Sequence, residues 1–266
     1  VACGTVRRVV DVDGRVGVAL APRLAAADAL ALASPAALAA LHAKGLENGV
    51  ADLQWLDSDH ARTLEPEVRC AAAVFSPSTG IIDVHQLMTA LLGQFEAHGG
   101  VLALNSTVQC IRRQSAGFEI DVRSGDDEIT IFARQIVNSA GLDAVALTRR
   151  IEGYPSALVP DAYLAKGNYY SCRTRPFQHL VYPMPNDAGL GIHATLDLDG
   201  TVRFGPDVEW VDTVNYEVDA GRAEDFYTSI HDYWPALSYG DLMPAYAGIR
   251  PKVAGRWTER SAVGAS

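Results

Sequence analysis

A histidine on the polar face of a predicted strand is the residue in this sequence best suited to moving a proton. His193 lies within Leu190-Gly191-Ile192-His193-Ala194-Thr195-Leu196-Asp197-Leu198, where apolar and polar residues alternate, so that His193 and Thr195 share the polar face. An imidazole placed there can take a proton from a substrate hydroxyl near neutral pH, although a hydrogen-bonded structural histidine fits the same pattern. Arg250, in Gly248-Ile249-Arg250-Pro251, precedes a proline that keeps its backbone extended. That aims a planar guanidinium fork, the group that pairs two-pronged with a carboxylate; a surface ion pair fits equally well. Val137-Asn138-Ser139-Ala140-Gly141 reads as a strand ending in small residues before a helix. Small residues let a ligand approach the backbone and the helix start favours an anion, but close strand–helix packing demands the same residues. Lys166-Gly167-Asn168-Tyr169-Tyr170 begins a strand with adjacent tyrosines. Alternation sends one to each face, so at most one lines a pocket, and core packing accounts for both as well.

The elements that must position these residues are readable in part. Pro35 opens a helix predicted to run to Lys44 and to close at Gly45. Asp57-Ser58 precede a short helix that ends at Leu64-Glu65-Pro66, and Asp83 caps a helix to His98 with Val84, Leu87, Leu91 and Phe95 on one stripe. Gly99-Gly100 stop it. Strands are then expected at 101–104, at 107–112, 118–122 and 129–132 (a β-meander), and at 135–138, followed by a helix from about Asp143 to Ile151. Asp199-Gly200 turns the strand of His193 into a return strand beginning at Thr201. The first 38 residues are alanine-rich: a hairpin around Asp13-Gly14 and a run with helical propensity but no cap or clear stripe.

The 266 residues are enough for a large core, and 48% hydrophobic with 20% charged excludes collagen-like, coiled-coil and wholly disordered chains. The formal net charge of −10 argues against nucleic acid and anionic membranes as partners. No apolar run is long enough for a transmembrane segment. Cys3, Cys70, Cys110 and Cys172 are scattered without metal spacing, so no metal is expected and a reducing cytoplasm is the default location. The sequence has no GxSxG, Walker, HExxH or GxGxxG motif.

Taken in order, several of these segments resemble a known family. They are Leu64-Glu65-Pro66, Ser76-Pro77-Ser78-Thr79-Gly80-Ile81-Ile82-Asp83, Val137-Asn138-Ser139-Ala140-Gly141, Lys166-Gly167-Asn168-Tyr169-Tyr170, Val181-Tyr182-Pro183-Met184-Pro185, Gly189-Leu190-Gly191-Ile192-His193-Ala194-Thr195, Phe204-Gly205-Pro206 and Gly248-Ile249-Arg250-Pro251. The chain is similar, from about residue 36 to 253, to the FAD-dependent D-amino-acid oxidase superfamily and its L-2-hydroxyglutarate dehydrogenase/oxidase-like branch. The resemblance implies an α+β or α/β fold: a partial Rossmann-like FAD-binding domain interleaved with an antiparallel-sheet substrate domain. On that template residues 1–35 are unmatched, 36–78 are a first substrate-domain excursion, 79–152 part of the FAD domain, 153–247 the substrate domain, and 248–266 a truncated return.

The cofactor implied is FAD, touched by Val108, Ala140 and Gly141. Arg250 would hold the carboxylate of a small substrate, Tyr170 would bind it, and His193 would be the catalytic base. The implied reaction oxidises a 2-hydroxy acid to the 2-oxo acid. A D-amino-acid or amine oxidase is the alternative, and an inactive fragment another, since the family's GxGxxG segment and its flavin-capping end have no match here.

Overall fold

The structure, a computed structural model, describes residues 24–26, 29–33, 35–184 and 191–253. Its strands are β1 (Leu24–Ala26), β2 (Ala29–Ala33), β3 (Gln54–Asp57), β4 (Ala72–Ser76), β5 (Gly80–Ile82), β6 (Ser106–Gln114), β7 (Gly117–Ser124), β8 (Asp127–Ala133), β9 (Tyr163–Cys172), β10 (Leu180–Pro183), β11 (Ala194–Leu196), β12 (Val202–Phe204), β13 (Glu209–Val211) and β14 (Leu242–Lys252). The helices are α1 (Pro35–Glu47), α2 (Ser58–Leu64), α3 (Val84–Ala97), α4 (Ala144–Thr148) and α5 (Ala223–His231). The chain divides into two compact units. One holds the described residues up to 94 with 166–209 and 215–248; the other holds 95–165, 210–214 and those from 249. The chain therefore passes from unit to unit repeatedly, as an interleaved mixed α/β fold requires.

The first unit is built on a sheet in the order β9-β12-β11-β10-β2-β4-β3, with β13 and β14 also pairing β9. The β3-β4, β4-β2, β10-β11, β11-β12 and β12-β9 pairs are antiparallel, and β2 runs parallel to β10. One cross-strand row reads Phe75, Leu30, Val181, Ala194, Phe204, Tyr170. Residues in register share a face, and all six are buried. Phe226, Tyr227 and Ile230 of α5, with Tyr233 and Trp234 just beyond it, cover this face; the Trp234 ring stacks on Phe204 and Phe226 packs against Tyr170. At one end of the opposite face, Leu38 of α1 packs on Ala72 and Val74.

Part of the alanine-rich run forms β1 and β2, and β2 lies between β4 and β10. Ladder partners on both sides outweigh alanine's modest helical preference. Helix α1 continues through Gly45, because that glycine is a contact and not a stop: a Cβ there would lie 2.4 Å from Leu53 Cδ1. Asp57 and Asp83 do cap their helices, accepting from His60 N at 2.9 Å and Gln86 N at 3.0 Å. The stripe on α3 is not buried, however, and Val84, Leu91 and Phe95 all stand exposed. The expected hairpin near Asp13 and the segment from Gly255 lie outside the described residues.

The second unit contains the expected meander β6-β7-β8, turned at Gly125 in the left-handed region (φ 61°). Arg112 ties it together through Glu119 and Asp121, both at 2.7 Å. Residues 101–104 and 135–138 are not strands, and Val101 and Val137 are 83% and 85% exposed. A strand exists only as half of a ladder, and among the described residues neither segment has a partner. Helix α4 is shorter than expected. Gly141–Asp143 form a 3-10 turn before it, and the chain leaves the helix so that Ile151 can bridge Ile111.

Candidate functional site

If Ala194, Phe204 and Tyr170 face the core, the pleat turns His193, Thr195, Arg203 and Tyr169 to the other face of the same sheet. His193 lies against Tyr182 of β10, ring centroids 4.5 Å apart and inclined by 56°. Among the described residues the imidazole makes no hydrogen bond. Burial pushes its pKa below the ordinary value of about 6.5, because an imidazolium would lose hydration there. The ring is therefore neutral at physiological pH and able to accept a proton.

The backbone around His193 is held from three sides. Gly205 N donates to His193 O at 3.0 Å, and the buried Tyr233 hydroxyl donates to Ile192 O at 2.9 Å. Gly191 lies so close to β10 that a Cβ would stand 2.7 Å from Pro183 O. Tyr233→Phe leaves the Ile192 carbonyl without this donor. The expected cost is about 1–3 kcal/mol in urea unfolding, and an unchanged midpoint would show that Tyr233 does not brace this strand.

Tyr170 does not sit where substrate could meet it. It is fully buried, packed on Phe226, with its hydroxyl donated to Asp219 O. Its parity sends it to the core, and that corrects its assignment as a substrate-binding residue. Tyr169 takes the other face, stacked on Tyr246 at 4.6 Å and 11°. The Arg203 guanidinium lies 5.3 Å from the Tyr246 ring centroid, and its Nη2 is 2.5 Å from Asp197 Oδ2. Tyr182, Arg203 and Tyr233 were missed in the sequence. For the first two, strand parity relative to His193 was the available signal; Tyr233, outside any strand, carried none.

On the core side of β9, Lys166 and Asn168 are buried with Asp207, Glu209 and Arg222 around them. Asn168 donates to both carboxylates at 3.0 Å. A second internal network joins α2 to β10. The buried Glu65 Oε1 accepts from Gln178 N, His179 N and His179 Nδ1 at 2.6–2.7 Å.

The remaining expected site residues lie in the second unit. Arg250 is exposed on β14, four residues after Tyr246, in the extended backbone that Pro251 imposes. Val108 stands at a β-bulge of β6, and its carbonyl accepts from the Arg150 guanidinium. Ala140 and Gly141 form an exposed turn before α4. Gly141 is left-handed (φ 58°) with open space where a Cβ would be, and Ala140 N donates to Asn138 Oδ1 at 3.2 Å.

Residues 17–264 match the family described as DAO, FAD dependent oxidoreductase. The chain is 34% identical over 251 residues to the mitochondrial L-2-hydroxyglutarate dehydrogenase of Arabidopsis thaliana, covering 79% of this chain and 52% of that one. It is 26% identical over 254 residues to the L-2-hydroxyglutarate dehydrogenase of Salmonella houtenae, covering 81% and 58%. It thus spans little more than half the length of these relatives. Among solved structures it resembles the dithionite-reduced L-alpha-glycerophosphate oxidase of Mycoplasma pneumoniae with FAD bound, with a TM-score of 0.71, 19% identity, and coverage of 88% of this chain and 64% of that one. That likeness concerns the fold. Among the described residues no helix is long and apolar enough to cross a membrane.

Proposed function

Because the chain belongs to the DAO family of FAD-dependent oxidoreductases, we propose that it serves the oxidation of a small 2-hydroxy acid, L-2-hydroxyglutarate or a close analogue, to the 2-oxo acid. His193 carries this reading: a neutral imidazole just before β11, with no hydrogen bond among the described residues to occupy it. The first unit supplies the substrate-domain sheet and the second part of the FAD domain.

The turn at Ala140–Gly141 fits a bound dinucleotide, since its backbone is exposed and no Cβ stands in front of Gly141. Val108 fits less well through its carbonyl, which Arg150 already engages. FAD, when bound, supplies a two-electron acceptor. His193 takes the hydroxyl proton of the substrate, a step for which a neutral imidazole is suited and an imidazolium is not. Arg250 pairs with the C1 carboxylate and so fixes which C–H bond is presented. Cys70, Cys110 and Cys172 are free thiols, which suits a reducing cytoplasm.

The test is the visible spectrum of the purified chain after incubation with FAD and desalting, followed by anaerobic addition of 2-hydroxy acids. Retained flavin absorbance that a 2-hydroxy acid bleaches is the expected result; a colourless protein would refute the reading for this chain. Arg250→Lys keeps the charge and loses the fork, and we expect KM for the hydroxy acid to rise about tenfold or more. An unchanged KM would remove Arg250 from substrate binding.

A further inference from the structure

We infer that Arg203 reads a second carboxylate on the substrate, and so selects dicarboxylic 2-hydroxy acids over monocarboxylic ones. The inference rests on the reading of His193 as the base of a 2-hydroxy acid site. Thr195 and Arg203 are direct cross-strand partners, and Gly205 N bonds His193 O, so Arg203 lies diagonally across the ladder from His193 on the same face. Diagonal neighbours in such a ladder stand about 7–8 Å apart. A five-carbon diacid spans about 4 Å from C2 to C5 when extended, and the length of an arginine side chain makes up the remainder.

The guanidinium is partly exposed beside its two neighbours, Asp197 and Tyr246. Its Cζ lies 5.3 Å from the centroid of the Tyr246 ring, which in turn stacks on Tyr169. It pairs with Asp197 through Nη2 at a single carboxylate oxygen and also engages the Tyr246 side chain, and Arg203 and Asp197 are each 34% exposed. Burial and the neighbouring Asp199 both push the Asp197 pKa up, against the pull of Arg203. A substrate carboxylate arriving at this fork would take the place of Asp197, or share the guanidinium with it, through charge-assisted hydrogen bonds.

The experiment compares two ligands of equal carbon number on the full chain incubated with FAD: 2-oxoglutarate, and 2-oxopentanoate, which carries a methyl group where the distal carboxylate would be. Binding is measured by calorimetry for the wild type, Arg203→Gln and Asp197→Asn. Arg203→Gln is expected to weaken 2-oxoglutarate about ten- to a hundredfold and to leave 2-oxopentanoate within about twofold. Asp197→Asn removes the internal competitor and is expected to tighten 2-oxoglutarate.

A pair serving only to brace the β11–β12 hairpin predicts otherwise: both variants then move both ligands in the same direction, and the inference fails. If the wild type binds the two ligands equally and Arg203→Gln changes neither, the 2-hydroxy acid reading stands while Arg203 is excluded. If the wild type binds neither ligand, the reading of the site falls and takes this inference with it.

Discussion

Replacing His193 with alanine in the FAD-loaded protein is expected to lower turnover of the 2-hydroxy acid by about 10²–10⁴-fold, with the bound flavin retained. A hydroxyl proton is not lost unaided at neutral pH, so removing the base removes the step that His193 is proposed to perform. The pH profile sharpens the test. Burial depresses the His193 pKa, so the neutral, competent form persists to a lower pH than for a free imidazole. Activity is therefore expected to fall on acidification through a pKa below the ordinary value of about 6.5, and His193→Ala should erase that limb. Stability follows the same sign. The unfolded chain takes up this proton first as pH drops, so the contribution of the neutral His193 is complete above the ordinary histidine range and lost as pH falls through the folded pKa. A variant with near wild-type turnover on the hydroxy acid would remove His193 from the chemistry and favour an amine substrate, which can react as its free base.

The second large effect is on stability. Glu65→Ala is expected to cost about 3–5 kcal/mol in urea unfolding followed by tryptophan fluorescence. The buried carboxylate accepts two backbone N–H groups and the His179 ring through one oxygen. Its loss leaves donors facing a cavity, whereas Glu65→Gln keeps an oxygen acceptor and should cost much less. A loss under about 1 kcal/mol for the alanine variant would mean that water replaces the carboxylate and that Glu65 does not lock α2 to the start of β10.

Local chemistry was legible wherever a residue acts on near neighbours. The caps Asp57 and Asp83, the Asp199-Gly200 turn and the β6-β7-β8 meander all follow from residues a few positions apart. The turn at Asp199 closes with Asp197 N donating to Thr201 O at 2.9 Å, as a short hairpin must. Errors came where a neighbour distant in sequence decided. Gly45 reads as a stop until Leu53 is seen against it, and the alanine run reads as helix until β4 and β10 flank it. Glu65 and His179 are 114 positions apart, and no spacing rule joins them.

What the sequence by itself determined is the family, through an ordered set of short motifs, and the polar face on which His193 and Thr195 stand, through an alternation of period two. Only the tertiary structure decided which face of each strand is the inner one. Alternation states that Tyr169 and Tyr170 point oppositely, but both are aromatic and either could be buried. The ladder sets Tyr170 in one row with Phe204 and Ala194, beneath Phe226. The choice then follows from burial: the row that α5 covers is closed to a ligand, and His193, Arg203 and Tyr169 lie on the opposite face.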